Sequence, residues 1–170
     1  MQEYLAKTLQ GLEGVLADEL RALGAKDIEI QRRAVSFKGD KKTLYKANFW
    51  LRTALRILKP VAVFEVKSPD DVYTAIKKLK LEEFITADKT FSIDTTLYSE
   101  QINHSRYVTY KAKDAIVDYF TEKYGKRPSV SVSNPDIYFN LHISHTTCTL
   151  SLDSSGAPLF KRGYRVAQTE

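Results

Sequence analysis

The chain has 170 residues, room for one domain or two small ones, and can bury about two-thirds of its unfolded surface without a disulfide or metal staple. A hydrophobic share of 43% and a charged share of 28% exclude a disordered chain, and the single cysteine, Cys148, excludes an internal disulfide or a cysteine-rich zinc site, which fits a reducing cytoplasm. The formal net charge of +5 is that of many cytosolic proteins and by itself excludes little.

Taken in chain order, Tyr4–Lys7 reads as a short strand, and Gly11-Leu12-Glu13-Gly14 opens a helix with Leu12, Val15, Leu16, Leu20 and Leu23 on one face, ended by Gly24. Asp27–Arg33 and Ala34–Lys38 alternate like two strands. Gly39-Asp40 marks a turn, and Asp40 is placed to cap a helix over Lys41–Leu51 that carries Leu44, Ala47, Asn48 and Leu51 on one side. A further strand lies in Arg56–Val66. The order strand, helix, strand, strand, helix, strand is that of a ferredoxin-like unit.

A second pattern opens at Ser68-Pro69-Asp70-Asp71, where a capping serine, a proline at the first helical position and two acids all favour a helix start. That helix is expected to run to about Leu79. Thr90–Leu97 alternates as a strand with Phe91, Ile93 and Thr95 on one face. Ser105–Tyr124 is a long helix stopped by Gly125, with Val108, Ala112, Ala115, Ile116 and Tyr119 facing the core. Val130–Val132 is a brief strand. In Ile137–Ser144 the apolar Ile137, Phe139, Leu141 and Ile143 alternate with Tyr138, Asn140 and His142, and His145-Thr146 connects tightly to Thr147–Leu152, with Cys148, Leu150 and Leu152 inward. The break near Val66–Pro69 lacks flexible-linker composition, so the two units are expected to pack together. No run of about 18 apolar residues exists, and the N-terminus has no apolar run of signal-peptide length.

Charge is segregated along the chain. Residues 1–30 carry three basic and six acidic side chains. Residues 31–46 carry Arg32, Arg33, Lys38, Lys41, Lys42 and Lys46 against Asp40 alone, and residues 155–165 hold Lys161, Arg162 and Arg165 with no acid. Such clustering suits a polyphosphate partner, because each neutralised phosphate releases counterions; a solvated basic face is the alternative.

A catalytic constellation is missing. His104, His142 and His145 lack metal-site spacing, Cys148 alternates onto the buried side of a strand, and no glycine-rich phosphate loop occurs. Asp70-Asp71 and Glu82-Glu83 are better read as helix-end electrostatics than as acid/base pairs. The residues therefore assign no catalytic group and no metal ligand. What they do offer is a column: Arg106, Tyr110 and Lys113 fall at i, i+4 and i+7 on the outer side of the long helix, flanked by Lys111 and followed by Lys126-Arg127. Basic, aromatic, basic spacing provides two phosphate contacts and a stacking or hydroxyl contact, whereas an ordinary solvated face would show the same residues. The tail adds Lys161, Arg162, Tyr164 and Arg165, a second basic and aromatic cluster that an interdomain linker could equally supply.

Three stretches, Ala112–Phe120, Arg127–Val130 and Asn134–Ile137, together resemble the THUMP domain. Ser151–Gly156 with Lys161–Arg165 is similar to the THUMP exit of the bacterial ribosomal RNA guanine-N2 methyltransferases, also long described as adenine-specific DNA methylases. The motif Val35–Asp40 and the stretch Trp50–Leu58 look like the ferredoxin-like domain of the same group. The resemblance implies an α+β fold, with a ferredoxin-like unit over 1–66 packed on an α/β THUMP domain with a mixed sheet over 67–165, and a linker starting at 166–170. It further implies that structured RNA, above all 23S rRNA, is the partner. A C-terminal methyltransferase domain using S-adenosylmethionine would follow this chain, leaving these residues inactive alone and the parent a cytoplasmic RNA-modifying enzyme. Other THUMP proteins act on tRNA, and a protein-interaction module with a basic face is a reading from a different class.

Overall fold

The computed structural model describes residues 1–163, which form two compact units. Unit 1 comprises residues 1–60 together with the segment that begins at Asp153; unit 2 comprises residues 61–152.

In unit 1, β1 (Gln2–Lys7), β2 (Lys26–Gln31), β3 (Ala34–Gly39) and the first half of β4 (Arg56–Glu65) form a sheet in the order β2-β3-β1-β4. β1 pairs antiparallel with β3 and β4, and β2 with β3, with Tyr4 opposite Phe37 and Ala6 opposite both Val35 and Ile57. With α1 (Glu13–Ala22) and α2 (Lys41–Trp50), this is the ferredoxin-like βαββαβ order. Asp40 caps α2 as expected, accepting from the Thr43 N–H at 2.7 Å. Gly24 ends α1 in a left-handed conformation, φ 84°, that other residues rarely adopt.

The buried stripe of α1 is Leu16, Ala17 and Leu20, whereas Val15 is half exposed. The expected face shares Leu16 and Leu20 with the buried one but misses Ala17, because that small side chain gives little hydropathy signal yet packs in the unit 1 core. The strand expected over Asp27–Arg33 stops at Gln31, since Arg32-Arg33 makes the turn into β3 with Arg33 at φ 57°.

In unit 2, α3 (Pro69–Lys77) begins with a complete capping box: Ser68 accepts from the Asp71 N–H, and the Asp71 carboxylate accepts from the Ser68 N–H at 2.9 Å. The strands of this unit lie in the order β4-β8-β7-β5-β6, with β5 (Thr90–Tyr98), β6 (Ser129–Val130), β7 (Ile137–Ser144) and β8 (Thr147–Asp153) beside the second half of β4. β5 pairs in parallel with both β6 and β7, and β7 pairs antiparallel with β8, so the sheet is mixed. The two-residue connection His145-Thr146 has His145 at φ 53°, the twist that a tight hairpin needs. Phe139, Leu141 and Ile143 of β7 and Cys148 and Leu150 of β8 point into one core with Val72 and Ile76 of α3.

The long helix α4 (Ser105–Tyr124) closes that core through Val108, Ala112, Ala115, Ile116 and Phe120. Phe120 is buried there as well, and Tyr119 packs against the same core at its edge while its hydroxyl donates to Glu82 at 2.5 Å. The brief strand expected over Val130–Val132 is shifted to β6, leaving Val132 exposed. No helix among the described residues is long and apolar enough to cross a membrane.

Chain order and compactness part company at two places. β4 runs through the division between the units, so the change of unit falls within a strand, at Pro60/Val61. After β8 the chain rejoins unit 1: Ser154 donates from its N–H to the Ile57 carbonyl at 2.9 Å, and the Ile57 N–H donates to Ser155 Oγ at 2.8 Å. Leu159 is buried in the unit 1 core.

Candidate nucleic-acid interface

The site is built on α4, and its rigidity is the first requirement. Thr109 shares a hydroxyl–hydroxyl hydrogen bond of 2.7 Å with Thr95 of β5. Tyr73 of α3 donates to Asp118 at 2.9 Å, and Lys77 pairs with Glu122 at 2.6 Å. Farther along, Glu82 accepts from Lys123, Tyr119 and Tyr124. The Lys123 ammonium, with the two tyrosine hydroxyls, pulls the Glu82 carboxyl down to about 2, and Glu82 in turn raises Lys123. Gly125, at φ 65°, stops the helix with its N–H on the Thr121 carbonyl.

On the outer side of this braced helix the predicted column is present. Arg106 is exposed, Tyr110 is 58% exposed, and the Lys113 ammonium stands 5.9 Å from the Tyr110 ring centroid. Lys113 also contacts its neighbour Asp114 at 2.8 Å. Lys126 and Arg127 are exposed just past the cap. Among the described residues, Arg106, Lys126 and Arg127 enter no ion pair, so their charge is available to a polyanion.

Lys111 is placed differently. Its ammonium pairs with Asp70 of α3 at 2.6 Å and lies 5.5 Å from the Tyr107 ring, and Asp70 raises its pKa. The side chain ties two helices together as much as it flanks the column.

The described part of the tail cluster, Lys161 and Arg162, belongs to unit 1 and divides. Lys161 is exposed. Arg162 donates to the main-chain carbonyls of Asn48, Phe49 and Leu51 at the end of α2, and to Leu159 at 2.8 Å. Those carbonyls are the groups that a helix C-terminus leaves without intrahelical donors, so the guanidinium serves as their cap. Sequence reasoning read Arg162 as a phosphate contact; a clasp on residues over a hundred positions earlier carries no local signal. Tyr164 and Arg165 lie outside the described residues.

Burial pushes the Cys148 thiol up to about 12, and the His142 ring lies 6.0 Å from that of Tyr98. Among the described residues no cluster of three or more His, Cys, Asp or Glu side chains could hold a metal.

Comparison with known proteins places this geometry. Residues 3–58 match the RlmL ferredoxin-like domain, and residues 66–153 match the THUMP domain. The chain is 44% identical over 163 residues to the ribosomal RNA large subunit methyltransferase K/L of Syntrophotalea carbinolica, covering 96% of the chain and 23% of that protein. It is 40% identical to a provisionally named RNA methyltransferase, slr0064, of Synechocystis sp., covering 96% of the chain and 43% of that protein. Among solved structures, a possible methylase from Clostridium difficile 630 superposes with a TM-score of 0.84 at 26% identity, over 99% of this chain and 45% of that one. The chain thus spans less than half the length of these relatives. With the ferredoxin-like order in unit 1, the mixed sheet under α4 in unit 2 and these matches in agreement, the chain belongs to the THUMP-domain family and carries an RlmL-type ferredoxin-like domain ahead of it.

Proposed function

We propose that this chain is the RNA-binding N-terminal part of an RNA methyltransferase. The observation that carries the reading is the exposed Arg106, Tyr110 and Lys113 column, held on a braced helix inside a THUMP domain. Two cations spaced along a helix face with a ring between them suit a phosphate backbone and an adjoining sugar or base, and contacts of that kind orient an RNA without reading much of its sequence. The names of the two curated relatives support RNA rather than DNA as the nucleic acid.

The finer reading is that the substrate is 23S rRNA in the cytoplasm and the product an N2-methylated guanine. Methyl transfer from S-adenosylmethionine would then belong to the part of the relatives that lies outside the matched region, and the chain itself would position the RNA. A base within a helix must be turned out of its stack before such a domain can reach it, and a rigid docking surface beside the target lowers the cost of holding the RNA while that happens. A competition experiment tests the reading: a structured large-subunit rRNA transcript should displace a labelled probe at lower concentration than DNA duplex of the same sequence. Equal competition by the duplex would contradict it.

A further inference from the structure

Unit 1 has an outer face that the THUMP column does not use. Along α2, Lys41, Tyr45 and Phe49 are spaced by four, and so are Lys42, Lys46 and Trp50, giving two neighbouring ridges on one side of the helix. All six side chains are exposed, with Tyr45 at 73%, Phe49 at 67% and Trp50 at 63%. The opposite side of the helix is the buried one, through Ala47 and the following Leu51. Phe49 and Trp50 meet edge to face, with ring centroids 5.2 Å apart. Isolated exposed aromatics are common on soluble proteins; three on one helix face, two in mutual contact, are not.

Charge identifies the occupant. Helix α2 contains three lysines and no acid, and among the described residues none of the three forms an ion pair. Asp40, the acid nearest along the chain, is spent capping the helix through Thr43. At the other end the Arg162 guanidinium covers the carbonyls of Asn48, Phe49 and Leu51, removing the partial negative charge a helix C-terminus would otherwise present. Exposed Phe160 and Lys161 precede that arginine in the chain. Aromatic rings interleaved with cations, without anions, are what an unpaired nucleic-acid strand requires: bases stack on the rings and phosphates meet the ammonium groups.

We infer that the outer face of α2 is a stacking platform for unpaired RNA bases, separate from the phosphate-directed column on α4. The inference rests on the RNA reading above and adds the class of RNA element that this face takes. Lys41 to Trp50 spans about 13 Å along the helix axis, enough for two or three unpaired nucleotides. A loop or bulge next to a duplex would supply them.

Trp50 is the chain's sole tryptophan, so its emission reports on this face. The test uses the full chain with a short single-stranded oligouridylate, a blunt RNA duplex and a structured rRNA transcript. The expected result is quenching of Trp50 by the oligouridylate and none by the blunt duplex. The double variant Tyr45→Ala/Phe49→Ala should bind the oligouridylate about tenfold more weakly or worse, whereas Tyr45→Phe/Phe49→Tyr, which keeps the rings, should bind as the parent does. Unchanged affinity in the alanine variant, or unquenched Trp50 at saturation, would overturn the platform while leaving the rRNA reading standing; the face would then belong to a protein partner. Failure to bind the rRNA transcript as well would overturn both.

Discussion

Arg162 donates from Nη1 to the main-chain carbonyl of Phe49 at 3.0 Å, joining the end of the described chain to the end of the second helix. A residue that reads in isolation as a phosphate contact is engaged in holding unit 1 together. Replacing Arg162 with alanine should therefore lower stability by about 1 kcal/mol, the cost of leaving part-buried carbonyls without a charged donor. Urea unfolding of the variant measures this. A variant as stable as the parent would show that the clasp contributes nothing.

The capping box at the start of α3 makes a second stability prediction. Ser68→Ala removes the side-chain acceptor for the Asp71 N–H while keeping Pro69 at the first helical position, so the loss should be about 1 kcal/mol. Ser68→Asp, which restores an acceptor there, should recover most of it in the same thermal melts.

Glu82 supplies a pH signature. Its folded-state carboxyl lies near 2, against an ordinary 4.5, because Lys123 and two tyrosines hold the charged form. A depressed carboxyl contributes stability that is complete above the ordinary value and fades as pH falls from about 4.5 towards 2. The melting temperature of the parent should exceed that of Glu82→Gln at neutral pH, by a modest amount because the pair is partly exposed, and the two should converge only as pH approaches 2. A difference that stays constant across that window would assign the effect to packing rather than charge.

Cys148 tests the unit 2 core. With its thiol pushed up to about 12 by burial, only about one part in ten thousand is thiolate at pH 8. The native chain should resist iodoacetamide for hours and react promptly once unfolded in guanidinium. Rapid labelling of the native chain would show that β8 opens readily.

Much of this was legible in the sequence wherever a local pattern carries the structural signal. The strict alternation of Ile137–Ser144 sets the faces of β7, Gly125 sets the end of α4, and Asp40 and Ser68 mark two helix starts. The misplacement in α1 has a local physical cause too: Ala17 buries at a position where hydropathy favours Val15. The return of the chain after Asp153 to pair with Ile57 was not legible, nor was the pairing of Lys111 with Asp70, since both join residues distant in sequence. Within the site, the Arg106, Tyr110 and Lys113 column followed from helical spacing alone. The part played by Arg162 required knowing which carbonyls it meets.

The central claim is that α4 of the THUMP domain presents exposed cations to RNA, and a salt titration addresses it most directly. Affinity for a structured rRNA transcript should be measured across a range of potassium chloride for the parent and for Arg106→Glu/Lys113→Glu. The account predicts that log affinity falls linearly with log salt, that the variant binds more weakly to RNAs of any sequence, and that its slope is shallower by roughly one to two units. Equal affinity and an unchanged slope in the variant would contradict it.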